Sequence, residues 1–196
     1  MIRLIMIYTI GHSKHPLERF IALLQQHGVN AVADVRSTPY SRFNPQFNRE
    51  KLQAALAGAD IRYVFLGEEL GARSKDPECY DPEGRVSYIK LAQTDLFRRG
   101  LERLLTGMRE HSIAIMCAER EPLECHRTLL VARELEKAGV PVGHILQDGS
   151  LEPHRQAMGR LATDLKLAAT DLFRTPDELI EDAYEKQSAR IAYRRP

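Results

Sequence analysis

The sequence is poor in cysteine, with only Cys79, Cys117 and Cys125 among its 196 residues. Three thiols cannot all pair with one another, and a chain of this length buries a core large enough to fold without disulfides. These facts exclude the disulfide-rich class of small secreted domains. They favour a reducing compartment, and the cytoplasm is the expected location.

Long hydrophobic runs are also lacking. The apolar stretch at residues 2–10 is interrupted by Arg3, is too short to cross a bilayer, and is not followed by a small-residue cleavage site. We therefore expect no membrane partner and interpret this stretch as a first strand.

The chain has no marked excess of charge of either sign. It contains 28 Lys and Arg against 27 Asp and Glu, which gives a formal net charge of +1. Such a chain has no overall field that attracts nucleic acid, so nucleic-acid binding is not expected. The G-x-G-x-x-G and P-loop fingerprints are missing too. Any anion site must therefore be local.

What the sequence contains is the composition of a folded domain, 43% hydrophobic and 28% charged. Strand-like apolar runs alternate with amphipathic, helix-like segments. The strand-like runs are 2–10, 30–35, 61–66, 113–117 and 140–146. This alternation predicts an α/β fold, a three-layer, mainly parallel open sheet of about five strands with helices on both faces, plus C-terminal helices.

Two regions of the fold are expected. Residues 1–150 should form an α/β catalytic or ligand-binding domain, in which 67–86 is an irregular loop of the length typical of lids. The segment 122–137 is predicted to be one helix. Residues 151–196 are predicted to be only helical, packed on the domain or on a second copy in a homodimer.

Polar side chains follow four of the predicted strands. Because ligands of an open parallel sheet bind beyond the carboxyl ends of its strands, these side chains are candidates for one site. They are His12 and Ser13 after the first strand; Asp34, Arg36 and Arg42 after the second; Cys117 and Glu119 after the fourth, followed by Cys125, His126 and Arg127; and His144 in the last.

These residues resemble a known family. The segments Thr9-Ile10-Gly11-His12-Ser13, Asp34-Val35-Arg36 with Ser41-Arg42 behind it, and Cys117-Ala118-Glu119 followed by Cys125-His126-Arg127 closely resemble the bacterial domain of unknown function 488, as does His144-Ile145. The resemblance covers about residues 7–149 and implies an α/β domain but no established reaction. Where family members often have two glycines, this chain has Gly71-Ala72.

Cys125 is the candidate nucleophile. A thiol in the first turn of a helix lies at the positive end of the helix dipole, and His126 and Arg127 add positive charge, so the thiolate is favoured. The alternative is a small buried hydrophobic residue, which is also the simpler interpretation of Cys117. Glu119 and His12 are candidate proton-transfer groups, although Glu119 could instead hold an arginine in place.

A metal site is a further alternative. Seven residues separate Cys117 from Cys125, which is not the spacing of a zinc knuckle, and adjacent side chains such as Cys125 and His126 rarely point at one ion. A site formed by Cys117, Cys125 and His12 remains open, whereas no Cys-x-x-Cys pattern supports a redox disulfide.

Taken together, the residues indicate an enzyme that acts on a small phosphorylated or nucleotide-like anion. Its catalytic candidates are Cys125, Glu119 and His12. Its substrate-binding candidates are Ser13, Asp34, Arg36, Arg42, His126 and Arg127, because guanidinium groups and helix-start N–H groups suit phosphate oxygens. The alternative role for Arg36 is a structural ion pair with Asp34 instead of substrate binding. A ligand-sensing or partner-binding module without turnover is the rival function, and the residues identify no cofactor.

Overall fold

The computed structural model describes residues 6–167 and 174–195. Residues 2–5 of the predicted first strand, residues 168–173 of the predicted C-terminal extension, and Pro196 lie outside this part of the chain. Among the described residues, no helix is both long and apolar enough to span a membrane.

One sheet organises the fold. Its strands are β1 (Ile7–Gly11), β2 (Ala31–Asp34), β3 (Arg62–Phe65), β4 (Ile113–Cys117), β5 (Val142–Ile145) and β6 (Leu151–Pro153). The order across the sheet is β3-β2-β4-β1-β5-β6, and every pairing is parallel except that of β5 with β6. The mainly parallel α/β prediction is therefore confirmed. The prediction of only helices beyond residue 149 is wrong, because β6 turns back to pair with β5.

Helices cover both faces of the sheet. They are α1 (Leu17–Gln26), α2 (Arg49–Ala57), α3 (Gly67–Leu70), α4 (Tyr88–Ala92), α5 (Asp95–Gly107), α6 (Arg133–Lys137), α7 (His154–Asp164) and α8 (Pro176–Ile191). Within residues 6–167 and 174–195, three short 3₁₀ turns add to them, Pro45–Phe47, Pro77–Cys79 and Pro122–Glu124. The irregular segment 67–86 thus contains α3 and one 3₁₀ turn.

Alternation along the strands divides the core into two clusters. In β4, Ala114 and Met116 pack with α1 and α2, whereas Ile113, Ile115 and Cys117 pack on the opposite face with α5, α7 and α8. Cys117 is therefore the last inward-facing residue of β4 on the face that also receives residues 125–132. This register decides which side chains can meet at the end of the strand.

The predicted helix over 122–137 is interrupted. The 3₁₀ turn at Pro122–Glu124 ends in an extended Cys125 (φ −139°, ψ 141°), and a π-helical segment, Arg127–Ala132, then leads into α6. Pro122 occupies the first position of the 3₁₀ turn, and the Glu121 carboxylate accepts the Leu123 N–H, so the turn is closed locally. Cys125 consequently lies just before the helix and not in its first turn.

The C-terminal part of the chain is tied to the sheet by buried polar groups. Thr9 contacts His144 (2.7 Å), His144 contacts His154 (3.0 Å), and His154 contacts the Tyr184 hydroxyl (2.5 Å). After α8, the Val86 N–H donates to the Tyr193 carbonyl. These contacts bring the last described residues to the edge of the 80–86 turn.

Candidate functional site

A cavity of about 280 Å³ lies beyond the carboxyl ends of β2 and β4. Residues 117–119 and 124–126 form one side, residues 36–38 another, and Ala72 and Arg73 a third. Tyr88, Ile191 and Tyr193 complete the lining. The cavity is thus built from two strand ends, the irregular loop and the C-terminal segment.

Four potential ligand or reacting groups meet on one wall of this cavity. The donor atoms of Cys117, Glu119, Cys125 and His126 all lie within 4.8 Å of one another. Cys125 Sγ is 3.0 Å from Glu119 Oε2, and Nδ1 of His126 is 3.6 Å from Cys117 Sγ and 3.9 Å from Cys125 Sγ. We call these four side chains the thiol cluster.

The backbone of Cys125 explains why adjacent residues both reach the thiol cluster. Cys125 is extended while His126 is helical (φ −61°, ψ −25°), so the change in backbone direction turns both side chains toward Cys117. The expectation that residues 125 and 126 would not point at a common centre is therefore wrong for this chain.

The ring of His126 has a defined orientation. Its Nε2 lies 3.0 Å from the carbonyl oxygen of Val35, at the end of β2. A carbonyl only accepts, so Nε2 carries the hydrogen, and in the neutral ring Nδ1 presents a lone pair to the two sulfurs.

Cys125 is the thiol best placed to ionise. Burial opposes the charge, yet the hydrogen bond from Cys117 and the positive charge of Arg127 outweigh it, so the pKa of Cys125 lies well below its usual range. The Arg127 backbone N–H also donates to Cys125 Sγ (3.4 Å), as expected for a residue just before a helix.

The pKa values of the other two acidic groups, Cys117 and Glu119, are raised. Burial, together with the neighbouring Cys125, raises the pKa of the Cys117 thiol well above its usual range. Burial also raises the pKa of the Glu119 carboxyl, and the charge on Cys125 adds to the effect. Negative charges this close repel, so the thiol cluster needs shared protons or a cation.

The family is decided by the match of its model. The model described as Domain of unknown function DUF488 matches residues 16–133, more than half of the chain. The chain belongs to this family. The matched residues contain the whole thiol cluster, so the cluster is part of the DUF488 domain.

Other comparisons add little about function. None of the curated proteins matches the DUF488 chain. Two crystal structures of a protein named Putative phosphatase (DUF442) from Shewanella putrefaciens CN-32, at 1.40 and 1.60 Å, are similar to it with 14% identity and TM-scores of 0.36 and 0.37. They cover 92% of this chain and 87% and 85% of their own. Similarity at this level supports no inference about activity.

Arg36 of the DUF488 domain is held by a buried network. Its Nε and Nη2 donate to the two carboxylate oxygens of Asp34 (2.9 and 2.6 Å), and Nη2 also donates to the Phe47 carbonyl (2.8 Å). Asp34 is fully buried and does not line the cavity, whereas Arg36 does. The Arg36–Asp34 ion pair, predicted as the structural alternative to substrate binding, is therefore present.

His12 is part of the same network. Arg36 can only donate, so Nε2 of His12 accepts from its Nη1 (3.2 Å), and Nδ1 donates to the Ser13 carbonyl (3.0 Å). Burial and the charge of Arg36 lower the pKa of His12 to about 4, so the ring is neutral. His12 stacks on Phe47 and lies outside the cavity lining, and with both ring nitrogens engaged it orients Arg36.

Arg127 holds the backbone that follows β4, next to the thiol cluster. Its guanidinium is completely buried and donates to the carbonyls of Glu119 (2.8 Å) and Arg120 (3.3 Å). Gly11 permits this packing, because a Cβ there would lie 1.9 Å from the Glu119 carbonyl oxygen. Arg127 thus shapes the loop that carries Glu119 and does not line the cavity.

The remaining predicted binding residues are not brought to the cavity. Arg42 is exposed, Ser13 is half-buried, and neither belongs to the lining. The lining instead contains Arg73, which is not among the residues predicted from the sequence. Arg73 stacks on the ring of Tyr193 (4.7 Å to the centroid), so its position depends on a contact between the irregular loop and the C-terminal segment.

Proposed function

We propose that the protein is an enzyme that acts on a small anionic substrate in this cavity. The observation that carries the proposal is the thiol cluster, which places two thiols, a carboxyl and an oriented imidazole on the wall of an open cavity. Perturbed titratable groups gathered in a cavity are typical of active sites.

We assign anion binding to the part of the cavity lining formed by residues 37, 38 and 73. Arg73 offers a guanidinium there, and Ser37 and Thr38 offer hydroxyls. The Arg73 backbone N–H donates to Ser37 Oγ (3.1 Å), which couples the two binding segments. Most of the N–H donors of Arg36 are already engaged with Asp34, His12 and Phe47. We therefore assign Arg36 the role of positioning residues 37–38, and not that of binding the anion itself.

The size of the cavity restricts the substrate. The cavity volume of about 280 Å³ lies at the small end of the roughly 300 to 1,000 Å³ typical of ligand pockets, which favours a small phosphorylated molecule over a dinucleotide. A phosphate or phosphorylated small molecule is therefore the substrate class we propose.

Glu119 is the proposed proton-transfer group. Its side chain is exposed to the cavity, yet its carboxyl contacts Cys125, and its raised pKa lets it hold a proton closer to neutral pH than a free glutamate does. Such a carboxyl can donate a proton to a leaving group and take one from water.

Binding and turnover are tested separately. Inorganic phosphate and a panel of phosphorylated small molecules are titrated into the full chain by calorimetry, and release of phosphate is followed. Arg73→Gln should weaken anion binding about tenfold or more, since it removes a charge-assisted contact. Arg98→Gln is the control and should leave anion binding unchanged, because Arg98 is an exposed residue of α5 that pairs with Asp95.

Glu119→Gln should retain anion binding but lower turnover about 100-fold or more. Equal affinity in the Arg73→Gln and wild-type chains would overturn the assignment of the anion. Binding without turnover of any member of the panel, unaffected by Glu119→Gln, would favour the ligand-sensing module over the enzyme.

A further inference from the structure

We propose that the thiol cluster binds a divalent transition-metal ion, zinc by its chemistry. Cys117, Cys125 and His126 are the ligands, and Glu119 occupies an exchangeable fourth position. The inference rests on the proposed function only in treating the cavity as an active site; the ion itself is argued from the four side chains.

The donor spacing fits a tetrahedral ion. With bonds of about 2.3 Å to sulfur and 2.0 to 2.1 Å to nitrogen or oxygen, donor atoms around zinc lie roughly 3.3 to 3.8 Å apart. In the cluster, the donor atoms are 3.0 Å apart for Cys125 and Glu119, 3.6 Å for Cys117 and His126, and 3.9 Å for Cys125 and His126. These separations lie near the tetrahedral values, and all four donor atoms are within 4.8 Å of one another, so small side-chain movements would place them around one ion.

The charges also favour a cation. Two thiols and a carboxyl are acidic groups within 4.8 Å of one another, and the nearby Arg127 guanidinium is directed at the carbonyls of Glu119 and Arg120. Binding of a divalent ion releases to solvent the Cys117 proton and any proton that Cys125 shares with Glu119 or His126, and leaves two thiolates on the metal. Soft thiolates with one imidazole select zinc over magnesium or calcium.

His126 has the support typical of a metal ligand. A ligating histidine almost always donates its second ring N–H to a carbonyl or carboxylate, which fixes the tautomer. In this chain the Val35 carbonyl accepts from Nε2, and Nδ1 is left for the ion. The Arg127 N–H on Cys125 Sγ gives the second sulfur a comparable partner.

The site has one open side. Cys117, Cys125 and His126 are buried (3%, 1% and 9% exposed), whereas Glu119 is exposed to the cavity. Three protein ligands with an exchangeable fourth position are characteristic of catalytic zinc, while structural zinc is closed by four ligands. The ion would then polarise a substrate oxygen or water at the cavity, with Glu119 beside it.

The expected result is one zinc ion per full-length chain purified under reducing conditions without added metal, measured by plasma mass spectrometry. Cobalt substitution should give the spectrum of a tetrahedral thiolate complex. Cys117→Ser, Cys125→Ser and His126→Gln should each lower the affinity for zinc by more than the roughly 10- to 100-fold typical of a lost outer-shell partner. Cys79→Ala is the matched control, because Cys79 is buried in the 3₁₀ turn Pro77–Cys79 and is outside the cluster.

A measurement on the wild-type chain alone tests the metal site without depending on whether the variants fold. Alkylation of Cys117 and Cys125, followed site by site by mass spectrometry, should be slower with zinc than after chelation, while Cys79 should be unchanged. No bound metal and no cobalt–thiolate spectrum would overturn the inference, as would a Cys117–Cys125 disulfide in the reduced preparation. If the protein binds phosphate but contains no metal, only the proposed metal site is refuted. If it contains zinc but binds no phosphorylated molecule, only the proposed substrate class is refuted.

Discussion

The buried histidine pair should make the protein less stable in mild acid. Burial lowers the pKa of His154 to about 4, and burial together with His154 lowers that of His144 well below its ordinary value. Both rings are almost completely buried, between Thr9 in β1 and Tyr184 in α8.

The magnitude follows from His154. Its ordinary pKa of 6.5 is regained on unfolding, so the unfolded chain binds the proton more strongly and stability falls as pH falls below about 6.5. For a folded pKa of about 4, the free energy of unfolding decreases by about 2 kcal/mol between pH 7 and pH 5, and by about 3 kcal/mol once both states are protonated. His144 adds to the loss in the same direction.

Urea unfolding at pH 7 and pH 5 tests this expectation. The wild-type chain should lose at least about 2 kcal/mol between these pH values, and His154→Gln, although less stable at pH 7, should lose about 2 kcal/mol less than wild type does. Contributions from titrating groups that do not contact His154 cancel in that difference, whereas that of His144 changes because His154 helps to lower its pKa. An unchanged pH dependence in His154→Gln would refute the argument from burial.

Two substitutions test the packing that supports the site. Gly11→Ala should destabilise the protein by about 1 to 3 kcal/mol, because the new methyl group would displace the Glu119 carbonyl; Gly159→Ala, where the space is open, should be neutral or stabilising in the same urea assay. Asp34→Asn should cost about 3 kcal/mol by leaving the buried Arg36 charge without its carboxylate, and thermal unfolding that matches wild type would contradict that role.

Much of the fold was predictable because it depends on local patterns. Apolar runs such as 113–117 alternate with helical segments, and four of the five predicted strands are marked by polar residues at or after their ends. These two patterns are enough to indicate a parallel sheet and its ligand-binding edge. β6 was missed because Leu151–Pro153 is only three residues long and is defined by its pairing with β5. Short pairings of this kind leave no periodicity in the sequence.

The candidate site was predictable only in part. Cys117, Glu119 and Cys125 could be predicted from their place at or after the end of β4, but the meeting of Cys125 with His126 depends on the backbone turn between them. Arg73 was missed because its partner, Tyr193, is distant in the sequence. Contacts between an irregular loop and the chain terminus are set by tertiary packing.

The most direct test of the thiol cluster is X-ray absorption at the zinc edge on the full-length, reduced protein. We expect two sulfur ligands at about 2.3 Å and nitrogen or oxygen ligands at about 2.0 to 2.1 Å, with the sulfur signal reduced in Cys117→Ser and retained in Cys79→Ala. Zinc with only nitrogen and oxygen neighbours, or no zinc in the protein, would contradict it.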